Sequence, residues 1–167
     1  MSEKNMPVKR ASRQAGFSLI EIVIVLLIST IITAFAVPTL SSSLSKYRLK
    51  SAVAGATWAI QSIRFQALME SYPYQVTFQG DTNGNNPSYQ IASKPAGAGS
   101  FSNVGTSVPL SGSPINLTAA TVVQFQPNGT VAVTQGGTTV TSMQMTYRGF
   151  SYTITVSNYG NLSISTP

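Results

Sequence analysis

From Phe17 to Leu40 the chain holds a single charged side chain, Glu21, within an otherwise uncharged and mainly apolar run. As a helix rising ~1.5 Å per residue, Phe17 to Val37 would span about 31 Å, the hydrocarbon thickness of a bilayer. A segment of that length and polarity predicts a membrane-spanning helix, which leaves one ordinary domain for the rest of a 167-residue chain. A carboxylate within a bilayer costs several kcal/mol, roughly 2.5–3.5 at the centre on insertion scales, so Glu21 needs a compensating partner.

The flanks set an expected orientation. Lys4, Lys9, Arg10 and Arg13, opposed by Glu3, place three of the six net positive charges before Gly16. The positive-inside rule then puts the leader in the cytoplasm and everything after Leu40 on the far side. The remaining surplus of three comes from Lys46, Arg48, Lys50, Arg64, Lys94 and Arg148 against Glu21, Glu70 and Asp81, too mild for a dedicated basic binding domain. A cleaved secretory signal is the competing reading, since Ala34-Phe35-Ala36 is an A-x-A site ahead of Val37-Pro38. Against it, the apolar stretch exceeds the usual ~7–15 residues and carries Glu21, for which a discarded peptide has no use.

Gly16-Phe17-Ser18-Leu19-Ile20-Glu21, followed by Ile22-Val23-Ile24-Val25-Leu26-Leu27, resembles the processing site of type IV prepilins and type II secretion pseudopilins. The resemblance implies that a prepilin peptidase cuts between Gly16 and Phe17 and that the new Phe17 amine is N-methylated. It also implies a kinking proline at Pro38, and other pilin subunits and an inner-membrane assembly platform as partners. The implied fold is pilin-like α+β, one long helix packed on an antiparallel β-sheet head. Cleavage creates a cation on Phe17 four residues from Glu21, one helical turn away or within reach of a staggered neighbour. Such a pair would make Glu21 a register device for assembly, because an unpaired buried charge is penalised.

Four regions follow: a leader at 1–16, a transmembrane and filament-core helix at 17–40, an amphipathic continuation at 41–72 and a β head at 73–167. Leu49, Val53, Ala56, Ile60, Ile63 and Ala67 recur at steps of three and four, predicting one packed face and one wet face, with Ser71-Tyr72-Pro73 as the stop. Trp58 and Phe65, seven apart, are expected to anchor this helix to the sheet. Lys46, Arg48 and Lys50 read as a solvated helix face.

Beyond Tyr74 the period is two. Strands are expected around Tyr74–Phe78, Tyr89–Ile91, Val123–Phe125, Val131–Val133, Val140–Met145, Phe150–Val156 and Leu162–Ile164. Turns are expected at Pro127-Asn128-Gly129, Gln135-Gly136-Gly137, Arg148-Gly149 and Asn158 to Asn161. Ser93 to Ser113, rich in Gly, Ser and Pro, reads as a long surface loop. Val123–Gly129 and Tyr152–Leu162 resemble the two hairpin signatures of the GspH/FimT minor pilins and pseudopilins.

Other chemistries find little support. With no Cys or His, thiolate and imidazole chemistry are absent, and Glu70 and Asp81 are the only carboxylates beyond the apolar segment, so no enzyme is expected. No cofactor or metal is expected either. Asp81-Thr82-Asn83-Gly84-Asn85 begins like a calcium loop, but Asn86 and Ala92 stand where that pattern wants Gly and a bidentate Glu. DNA uptake, implied for some FimT-like pilins, ranks below a structural role, because Arg148 is the sole cation in residues 95–167.

Overall fold

The computed structural model describes residues 16–80, 87–110 and 115–166. The leader before Gly16 and the Asp81–Asn85 segment therefore lie outside the described residues. The backbone divides into two compact units, residues 1–40 and 41–167.

A single helix, α1 (Leu19–Glu70), runs for 52 residues. Its apolar window has a mean hydropathy of 2.7 and none of it is buried, so by length and composition it can cross a membrane. Its polar side chains suit that solvent. The hydroxyls of Ser29, Thr30, Thr33 and Thr39 each donate to the carbonyl four residues back, at 2.7–3.0 Å. Satisfied internally, they present no bare polar group to lipid. Pro38 lies inside α1 and removes the hydrogen bond to Ala34, and a recess lined by Leu26, Ser29, Thr30, Thr33, Ala34, Val37 and Pro38 opens there.

In the second unit α1 buries Leu49, Val53, Ala56, Ile60, Ile63 and Ala67, the residues the periodicity predicts, together with Ala52 and Ala59. The four alanines let the backbone approach closely, while Leu49, Ile60 and Ile63 each gain about 1.5–3 kcal/mol from burial. The helix stops where Ser71 turns to a left-handed φ of 59°, two residues ahead of Pro73.

The expected antiparallel β head is built from two sheets. The first joins β1 (Tyr74–Gln79), β2 (Ser88–Ser93), β3 (Ser102–Pro109), β5 (Thr121–Phe125), β6 (Val131–Gln135) and β7 (Thr138–Thr139) in the order β3-β2-β1-β5-β6-β7. The second joins β4 (Asn116–Leu117), β8 (Ser142–Tyr147), β9 (Phe150–Val156) and β10 (Leu162–Ser165) in the order β10-β9-β8-β4. Val76, Phe78, Val123 and Phe125 from one sheet and Met143, Met145, Ile154 and Val156 from the other share one core with α1. The β8–β9 connection is a two-residue turn, Tyr147 pairing with Phe150 while Arg148 and Gly149 take φ of 46° and 83°.

Two expectations fail here. The stretch from Ser93 to Ser113 is not simply a loop, because β3 occupies eight residues of it. Every β3 residue is exposed, so no buried face imposes alternation, and its Ser, Asn, Gly and Pro disguise a strand paired only with β2. Trp58 and Phe65 do not anchor helix to sheet: they are 61% and 63% exposed on the side of α1 away from the head core.

Candidate processing and assembly site

The functional candidates cluster where α1 begins. Gly16, Phe17 and Ser18 precede the helix, and the Ser18 carbonyl accepts from the backbone N–H of Glu21 at 3.0 Å and of Ile22 at 3.3 Å. Ser18 therefore occupies the N-cap position and Glu21 the third helical position, the S-x-x-E spacing of a capping box. A carboxylate in the first turn faces the positive end of the helix dipole and the unpaired N–H groups there. The helix terminus is thus a partial partner for Glu21, and the S-x-x-E pattern was the sequence signal for it.

Gly16 has no structural reason to be glycine. Among the described residues a Cβ built there meets nothing within 4 Å, and its φ is outside the left-handed region that favours glycine. Phe17 is 80% exposed, and every residue from there through Leu44 is exposed. Residues that the fold does not require are candidates for recognition by something outside the chain. Phe17 and Glu21 stand on the first turn and its approach, while Pro38 lies more than four turns further along α1.

A second apolar feature extends up the same helix. Tyr47, Ala54, Trp58, Phe65 and Leu68, with the polar Ser51 and Gln61 at two of the intervening positions, follow a four-three alternation, and all are exposed. That is the 3.5-residue repeat of a helix–helix seam, on the face opposite the head core. The sequence carries this spacing, but it is indistinguishable there from a second buried face.

At the C-terminal end of α1, Glu70 accepts hydrogen bonds from the Tyr72 and Tyr74 hydroxyls, the latter at 2.8 Å, and the two rings stack at 5.3 Å. Donation from Tyr72, then from Tyr74, holds the Glu70 carboxyl below its ordinary value of 4.5. Burial pushes the Tyr74 hydroxyl up, reinforced by Tyr72 and Glu70. A lowered carboxyl stabilises the fold above its ordinary value and loses that contribution as pH falls through the folded one. Thermal melts between pH 7 and pH 3 are expected to decline less steeply for Glu70→Gln than for wild type, the curves standing apart above about pH 4.5 and converging as pH falls below it. Parallel curves would contradict the assignment.

Among the described residues no cluster of three or more metal-ligating side chains is found. Arg64 Nη1 donates to the Gly160 carbonyl at 3.2 Å, tying α1 to the β9–β10 turn.

Residues 11–37 match the family described as the prokaryotic N-terminal methylation motif. The match covers Gly16, Phe17, Glu21 and the first part of α1, and supports a type IV pilin-like, membrane-anchored precursor. No curated protein and no solved structure matches the chain.

Proposed function

We propose that the chain is a structural subunit, of the minor pilin or pseudopilin kind, of a type IV pilus or type II secretion pseudopilus. Prepilin peptidase cuts between Gly16 and Phe17, Phe17 is N-methylated, and residues 17–40 hold the subunit in the inner membrane until it is drawn into the filament. The observation that carries this reading is the uncovered apolar surface of α1. It is exposed all round from Leu19 to Leu44 and continues as the Tyr47 to Leu68 stripe. Lipid can cover the first part while the subunit waits in the membrane, but it leaves the stripe bare, whereas a bundle of such helices buries both. The two hairpins β5–β6 and β9–β10 support the finer GspH/FimT-like reading.

Glu21 then answers the Phe17 amine, its own or a neighbour's, and penalises subunits that enter out of register. The test is incorporation. Trp58→Asp/Phe65→Asp, altering only exposed positions, is expected to fold with stability within about 0.5 kcal/mol of wild type. Both that variant and Glu21→Ala should insert in the membrane normally and be missing from sheared filaments. Normal incorporation of either, scored by immunoblot against the membrane pool, sinks its assigned role.

A further inference from the structure

Four of the six cations that follow the leader, Lys46, Arg48, Lys50 and Arg148, gather in one part of the head, while Arg64 and Lys94 lie elsewhere. Lys46, Arg48 and Lys50 fall within five residues of α1, beginning six residues after Leu40, a length of helix of about 9 Å. At ~100° per residue, Lys46 and Lys50 share one flank, while Arg48 stands about 160° from either. Leu49 is buried between those flanks, and Tyr47, 72% exposed, points away from the head core. The fold adds further parts. Lys46 Nζ lies 4.9 Å over the Phe150 ring, beside the β8–β9 turn that carries Arg148. Lys46, Gly149, Phe150, Ser151, Tyr152 and Thr166 line a recess of about 350 Å³ at this place. The two described carboxylates, Glu21 and Glu70, lie at the ends of α1, twenty or more residues away.

We propose that Lys46, Tyr47, Arg48, Lys50 and Arg148 form a collar that seats the head on anionic lipid head groups at the outer face of the membrane. The Lys46 recess takes one such phosphate-bearing head group. A protein docking on one flank of α1 meets at most two of the three helix cations, whereas a surface crossing the helix axis meets all of them. A bilayer pierced by α1 is that surface. With a hydrocarbon core of about 30 Å and head groups adding roughly 5–7 Å per side, Lys46, Arg48 and Lys50 start about 9, 12 and 15 Å beyond Leu40, and their long side chains lean back along the helix toward the head-group layer, Lys46 entering it furthest. Tyr47 is of the type that favours the same layer. The recess lies at the lower end of the volume range of small-ligand pockets.

This inference rests on the membrane-anchored reading above, and the test separates the two. The chain has no cysteine, so Ser165→Cys on exposed β10, next to Thr166, gives a single fluorophore site beside the recess. The full chain is placed in nanodiscs of phosphatidylcholine alone or with phosphatidylglycerol, each carrying a trace of head-group nitroxide lipid. Quenching is expected to rise about twofold or more with phosphatidylglycerol at low salt, and to fall back in high salt. In Lys46→Gln/Arg48→Gln/Lys50→Gln/Arg148→Gln it should not respond to lipid charge. Equal quenching in both discs, or a rise that survives the four substitutions, overturns the collar alone. So does binding of a short DNA duplex through the same four residues without any lipid response. Failure to enter either disc overturns the membrane reading and the collar with it.

Discussion

Gly160→Ala is expected to lower the melting temperature of the detergent-solubilised full chain by about 10 °C, the equivalent of roughly 2–4 kcal/mol. Two independent effects add at this position. Gly160 holds a φ of 75°, which an L-residue adopts at a cost of about 1 kcal/mol or more. A Cβ there would also stand 2.5 Å from Phe125 Cε1, 3.1 Å from Cζ and 3.3 Å from Arg64 Cδ. Phe125 cannot swing aside, because it is 1% exposed in the core shared by both sheets. Arg64 is held in turn by its bond to the Gly160 carbonyl. The glycines elsewhere in the head supply controls. Gly149 has a φ of 83° but open space, so Gly149→Ala should show only the backbone cost, about 1 kcal/mol. Gly99 has neither constraint, and Gly99→Ala should be neutral within about 0.5 kcal/mol. A Gly160→Ala protein melting with Gly149→Ala would show that the β9–β10 turn is not clamped between α1 and Phe125.

Gly16→Val is expected to do the reverse: leave folding untouched and abolish maturation. Among the described residues nothing lies within 4 Å of a Cβ at residue 16, and φ there is outside the left-handed region, so the head is expected to melt unchanged. Under the proposed function this residue is read by a peptidase, and a branched side chain at the scissile bond prevents a close backbone approach. The variant should accumulate in the membrane with its leader, melt like wild type and be absent from filaments. A Gly16→Val chain matured at the wild-type rate would mean that the glycine is incidental.

The parts of this protein readable from sequence are those where one physical demand dominates. Membrane length and the prepilin-like motif mark residues 16–40. The buried face of α1 follows from the spacing of Leu49, Val53, Ala56, Ile60, Ile63 and Ala67, and β1, β5 and β9 from strict alternation against a core. Where two demands share one pattern, sequence reading fails. The apolar spacing of Trp58 and Phe65 signals burial but cannot say whether the burying surface is the chain's own sheet or another subunit. The strand β3 escapes notice because, with all eight residues exposed, no core face patterns it. The β8–β9 turn is legible from Arg148-Gly149, yet its arrival beside Lys46 depends on the packing of the second sheet against α1. No local pattern encodes that contact.

The proposed function turns on one event, removal of a leader between Gly16 and Phe17. Intact mass of the chain isolated from its host's membrane and filament fractions tests this most directly. The account predicts a polypeptide beginning at Phe17 with one added methyl group on its amine, in both fractions. A chain beginning at Val37, or one still carrying the residues before Gly16 in assembled filaments, would contradict it.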